Sequence, residues 1–163
     1  MCYMALEHQK AIVLLVANKI YGSAFALARL LFEAYVRGVW LQLCASKSEI
    51  QKYKKDKLDK HFSTLIQEIE NCEGFEEGIL SEAKKANYNA MNSFTHSGYL
   101  QAVRRNTEFS IEPNYTEEEI TELVNIAHAI GMLSALQISL MAGKNELAIE
   151  MLEKSKIIDR KAP

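Results

Sequence analysis

The stretch Ala24-Phe25-Ala26-Leu27-Ala28-Arg29-Leu30-Leu31-Phe32-Glu33-Ala34-Tyr35-Val36-Arg37-Gly38-Val39-Trp40-Leu41 decides the fold class. Apolar residues fill most of its positions, with none of the alternation of a half-buried strand, and so it reads as a largely buried helix. Three charges interrupt it, Arg29, Glu33 and Arg37, spaced i, i+4 and i+8. At about 100° per residue, each step of four turns only about 40° around the axis. All three therefore share one face, with Glu33 between two guanidinium groups. Charge in such a helix is costly unless it is paired or open to water. The stripe is either a self-satisfied ladder that sets helix register, or the lining of a polar cavity whose surplus positive charge meets a phosphate or carboxylate.

Helical periodicity continues outward on both sides. A first helix is expected over residues 3–20, broken at Gly22-Ser23, with Ser23 as N-cap of a second helix over residues 23–45. Residues 47–61 then change character. They hold six lysines (47, 52, 54, 55, 57 and 60) against Glu49, Asp56 and Asp59, as an exposed helix or two short ones. Phe62, Leu65, Ile66 and Ile69 continue at helical spacing until Cys72-Glu73-Gly74. A helix over residues 76–97 stops at Gly98, and a little helix reaches Arg105. Phe109-Ser110-Ile111 reads as extended. Thr116 with Glu119 forms a capping box that opens a helix to Ala142. A last amphipathic helix covers residues 145–158, and residues 159–163 should fray. The expected architecture is all-α: one single-domain helical bundle over residues 1–163, with five to seven helices and the two apolar ones at its centre.

Composition agrees. A chain of 163 residues, 48% hydrophobic and 25% charged, excludes intrinsic disorder and low-complexity repeats. Seven Gly and two Pro are too few for a turn-rich sheet protein. Nineteen Lys+Arg against 21 Asp+Glu leave a net charge of -2, so no general pull toward nucleic acid or anionic lipid exists and only local basic surfaces remain. Cys2, Cys44 and Cys72 are far apart in sequence, odd in number and without a CxxC, which fits reduced thiols in a cytoplasmic protein. The start has no basic segment before an apolar core. The apolar runs 11–17, 24–45 and 126–142 fall short of a clean span of about 20 residues, so no membrane is expected.

Among four histidines, His8 and His61 lie in polar surroundings, and His128 on an apolar helix reads as a hydrogen-bonded core residue. His96 ends the segment Asn87-Tyr88-Asn89-Ala90-Met91-Asn92-Ser93-Phe94-Thr95-His96, dense in amides and hydroxyls. Asn89, Asn92, Ser93 and His96 fall on one helix face, and Met91 and Phe94 point toward the core. Arg104 and Arg105 follow within ten residues. An imidazole that moves a proton at neutral pH and an Arg that stabilises charge on phosphorus suit phosphodiester chemistry. The bland alternative is that His96 and its Asn neighbours cap a helix end before Gly98. No HxxxH, HExxH, P-loop, GxGxxG or GxSxG is present, so neither a metal nor a cofactor is expected.

The stretch Ala28 to Leu41 quoted above, followed about 55 residues later by Phe94-Thr95-His96-Ser97-Gly98, resembles a family of bacterial helical domains of unknown function. That family is in turn similar to the HEPN helical bundles. The resemblance implies a dimeric, metal-independent RNase of a toxin–antitoxin or phage-defence system. His96 matches the His of the HEPN motif. Asn89, Ala90 and Met91 stand where its Arg belongs, so the positive charge must come from Arg29, Arg37, Arg104 or Arg105. The expected catalytic set is His96, Asn92, Arg29, Glu33 and Arg37, with Asn92 orienting the imidazole. Arg104, Arg105, Lys52 and Lys55 are expected to bind substrate. Expected partners are RNA, a second copy, and a cognate antitoxin or partner protein. Two further readings stand beside this one: a non-enzymatic dimeric interaction module with a structural Arg-Glu-Arg/His polar core, and a bundle that binds a small anion through Arg29 and Arg37.

Overall fold

Helices α1 (Cys2–Ala17) and α2 (Tyr21–Leu43) form a hairpin around a short turn. A computed structural model describes the backbone of residues 1–159 and the side chains of residues 1–154. The turn lies earlier than Gly22-Ser23. Lys19 adopts a left-handed φ of 59°, and the Asn18 side chain donates to Leu14 O at 2.7 Å. These contacts end α1 before the glycine is reached. Ile20, rather than Ser23, is therefore the N-cap of α2.

Helix α2 is the hub and packs against α1, α4, α5 and α7. Leu31, Val36, Val39 and Trp40 are fully buried along it. Gly38 admits the start of α1, because a Cβ there would lie 2.6 Å from Cys2 Sγ.

Helix α3 (Lys47–Tyr53) is nucleated by a complete Ser46–Glu49 capping box. No helix covers residues 54–61, so the Lys-rich segment contributes one short helix. Helix α4 (Phe62–Glu70) buries Leu65, Ile66 and Ile69. Helix α5 (Ile79–Thr95) buries Met91 and Phe94, as their spacing predicts. Helix α6 (Tyr99–Val103) starts where Leu100 N–H donates to Ser93 Oγ at 3.0 Å. Phe109 and Ile111 are almost wholly exposed, beside a lone antiparallel bridge between Asn106 and Ile111.

Helix α7 (Glu117–Met141) opens on the expected Thr116–Glu119 capping box, and Gly143 follows its end at φ 68°. By length and composition alone α7 is able to cross a membrane; here it packs against α1, α2 and α8. Its buried positions Leu123, Ala127, Ile130, Gly131 and Ser134 turn His128 outward, so His128 is exposed rather than a core residue. Helix α8 (Asn145–Asp159) includes Asp159. The rest of the expected frayed tail, residues 160–163, lies outside the described residues.

The fold is all-α. Eight helices stand among the described residues, more than the expected five to seven. Two of the eight are short: α3 opens on its Ser46–Glu49 capping box, and α6 begins at Gly98 with Leu100 N–H bonded to Ser93 of α5.

Candidate functional site

Helices α2 and α5 run antiparallel, since Glu33 meets Tyr88 while the earlier Arg29 meets the later His96. Tyr88, Asn92 and His96 repeat the i, i+4, i+8 spacing of Arg29, Glu33 and Arg37, so two stripes face one another. The crossing is pinned just beyond, where Thr95 Oγ1 donates to Ala26 O at 3.1 Å. Phe25 and Phe94 pack there with ring centroids 4.9 Å apart.

Arg29 Nε donates to Glu33 Oε1 at 2.7 Å, and its Nη1 lies 2.5 Å from His96 Nε2. Tyr88 Oη donates to the same Glu33 oxygen at 2.8 Å. Arg37 Nη2 completes an ion pair 3.9 Å from Glu33 Oε2. The Arg29 guanidinium carbon sits 5.1 Å from the Tyr88 ring centroid, and Phe62 stacks against that ring at 5.4 Å. The stripe is neither sealed nor fully solvated: the Arg29 and Glu33 side chains are 20% and 18% exposed, and Arg37 32%. His96 itself is exposed.

Partial burial opposes the charge on Arg29, but the Glu33 and Tyr88 contacts outweigh it and hold its pKa above the ordinary value. Burial, and then the bond to Glu33, pushes the Tyr88 phenol up, which keeps it a donor. Arg has no acceptor atom, so in the Arg29 contact His96 Nε2 must be the acceptor. This assigns a neutral ring with its proton on Nδ1.

The local chain explains why His96 ends up there. It is the C-cap of α5, and Gly98 N–H donates back to Ser93 O at 2.7 Å. Ser97 between them takes a left-handed φ of 54°, a position glycine usually fills. The capping role and the Arg29 contact coexist, because backbone serves the first and side chain the second.

The other expected site residues are distributed as follows. Asn92 lies on the α5 stripe, but its Oδ1 is buried with no hydrogen-bond partner and so does not hold the imidazole. Arg104 is paired with Glu119. Arg105 lies at the start of α2, where a Cβ on Gly22 would meet its Nη2 at 2.9 Å, beside a cavity of about 270 Å³. Lys52 and Lys55 are exposed near α3, whose Tyr53 reaches Met1 beside Gly38. Gly22 and Gly38 are 16 residues apart on α2, about 24 Å along its axis. The structure thus brings Arg29, Glu33, Arg37 and His96 together and leaves the four expected substrate-binding residues at two distant ends.

Two features were missed. Tyr88 anchors Glu33; its place eight residues before His96 was the available signal. The other is a cluster around Lys60, whose Nζ lies 2.5 Å from Glu49 and 2.7 Å from Glu68. Trp40 Nε1 donates to Glu68 at 2.6 Å, and Lys60 Nζ is 4.8 Å from the Trp40 ring centroid. Among the described residues, no three His, Cys, Asp or Glu side chains converge as a metal-binding group.

No curated protein and no solved structure matches the chain. A family does match, over residues 2–160, and by that near-complete coverage the chain belongs to the family of unknown function DUF6988.

Proposed function

We propose that this chain is a HEPN-like helical protein that cleaves RNA without a metal ion, with Arg29 and His96 as the reacting pair. The observation that carries the reading is the 2.5 Å contact between Arg29 Nη1 and His96 Nε2 at a solvent-exposed position. An RNA phosphate that enters takes over the Arg29 Nη donors and frees Nε2. His96 Nε2 then accepts the 2′-hydroxyl proton as that oxygen attacks phosphorus. The 5′-oxygen leaves and takes a proton from water, and a 2′,3′-cyclic phosphate remains. Arg29 balances the charge gathered on phosphorus. Glu33, braced by Tyr88, keeps the guanidinium oriented through its Nε. Arg37, paired with the same Glu33 carboxylate, offers a second guanidinium to a neighbouring phosphate.

The test is cleavage of single-stranded RNA in excess EDTA. The wild-type chain should yield cyclic-phosphate ends, and His96→Ala should slow cleavage by about 10²–10⁴-fold with the fold retained. Intact RNA after prolonged incubation, or full activity in His96→Ala, overturns the reading. In the wider proposal the chain acts in the cytoplasm, within a toxin or phage-defence system, beside a cognate antitoxin.

A second reading, a dimeric interaction module, is favoured by one observation. Helices α7 and α8 expose Leu133, Leu140, Met141, Leu147, Ile149 and Leu152. Apolar side chains exposed along two helices that pack on each other offer area for association. Light scattering that gives a monomer mass at micromolar concentration removes this reading.

A further inference from the structure

Helices α2 and α4 run parallel, and their contacts climb in step. Phe32 meets Phe62 with centroids 5.6 Å apart, Trp40 bonds Glu68 at 2.6 Å, and one helical turn later Cys44 Sγ lies 3.6 Å from Cys72 Sγ. Neither cysteine is inside a helix. Cys44 is the C-cap of α2, and Cys72 follows the end of α4. Both thiols are half-buried, and Cys72 Sγ also donates to Glu68 O at 3.5 Å. Cys2 is buried elsewhere, against Gly38. A disulfide requires the sulfurs to close to about 2.05 Å, a movement of about 1.5 Å from the observed separation. Residues at helix ends yield that distance more readily than residues in helical interiors.

We infer that Cys44 and Cys72 form a redox-active thiol pair that a hydroperoxide oxidant converts into an intramolecular disulfide. The chemistry balances in two steps. One thiol of the pair attacks the peroxide oxygen, which breaks the O–O bond; its sulfur is oxidised to sulfenic acid, and water leaves from hydrogen peroxide or the alcohol from an organic hydroperoxide. The other sulfur then attacks that sulfur, the S–O bond breaks, and the sulfenic oxygen departs with the resolving thiol's proton as water. Burial, with the Cys72 contact, pushes the Cys44 thiol up. At 3.6 Å each sulfur is close enough to resolve a sulfenic acid formed on the other. The product ties the end of α2 to the end of α4 and closes the segment that carries α3 and the Lys60 cluster.

The experiment treats purified wild-type protein with hydrogen peroxide, then alkylates it under denaturing conditions and maps the peptides. Two of the three thiols should become unavailable, with the loss of about 2 Da and one Cys44–Cys72 peptide, while Cys2 remains alkylated. Cys44→Ala and Cys72→Ala should each abolish the linked peptide. Trp40 is the lone tryptophan and lies one turn from the pair, so its emission should shift on oxidation and return with dithiothreitol. The oxidised form should also melt about 5 °C or more above the reduced form. Three alkylatable thiols in the treated wild-type protein overturn the inference, as does a linkage through Cys2 or between two molecules.

Discussion

Two ionic clusters sit on α2, and they differ in what they leave unsatisfied. Each places a cation near an aromatic ring: Arg29 at 5.1 Å from Tyr88, Lys60 at 4.8 Å from Trp40. In the Lys60 cluster one ammonium meets two carboxylates, Glu49 and Glu68, and Glu68 also accepts from Trp40. In the Arg29 cluster one carboxylate, Glu33, meets two guanidinium groups and a phenol. An ammonium has three donors, and two carboxylates absorb them. Two guanidinium groups have ten, and Glu33 with a neutral imidazole cannot absorb them all. The first cluster is a brace between α2, α3 and α4. The second holds donors in reserve, and a group with spare donors facing water is able to take an anion. Pairing alone does not mark a site; the unmatched remainder does.

Substitutions can break that contrast, and the largest effect is expected at the brace. Trp40→Ala removes a side chain that is 1% exposed, together with the donor to Glu68. It should cost about 3–5 kcal/mol in urea unfolding. A loss below about 2 kcal/mol would show that the brace adds little to the core around it. Glu33→Ala is next. It strands Arg29, Arg37 and Tyr88 in a partly exposed setting, and the expected loss is about 1–2 kcal/mol, with His96→Ala within about 0.5 kcal/mol of wild type. If His96→Ala proves as destabilising as Glu33→Ala, the imidazole belongs to a structural network and the contrast fails.

The smallest effect is on pH dependence. Lys60, with the Ser46 cap, lowers the Glu49 carboxyl to about 2 from its ordinary 4.5. Lys60 and then Trp40 lower Glu68 in the same direction. A depressed carboxyl stabilises the folded state fully above its unfolded pKa and loses that contribution as pH falls through the folded one. The brace should therefore hold above about pH 4.5 and weaken toward pH 2. Lys60→Met should flatten that part of the acid unfolding curve while leaving the neutral region nearly level. An unchanged acid limb in Lys60→Met would remove the brace from the account.

Much of this was legible in one dimension. The two long apolar helices, the Thr116 capping box and the shared face of Arg29, Glu33 and Arg37 all follow from spacing within a single helix. The α1–α2 turn was misplaced because Gly22-Ser23 carries the composition of a break. Lys19 makes the turn instead, in a left-handed conformation that its residue type does not announce. The apolar composition of α7 suggests burial all round and so puts His128 in the core, but α7 buries only one side. The lysine run concealed the brace, since nothing local separates Lys60 from Lys52 or Lys55.

The amino-acid sequence by itself determined the helical class, most helix ends and the ionic stripe on α2. Each depends on interactions within about four residues, which periodicity and capping chemistry express directly. Only the tertiary structure decided that Arg29 meets His96, that Tyr88 holds Glu33, that Lys60 closes on Trp40 and Glu68, and that Cys44 lies against Cys72. Those pairs join residues 8 to 67 positions apart. Their meeting depends on how buried side chains set the register between whole helices, and no local pattern of residues encodes that.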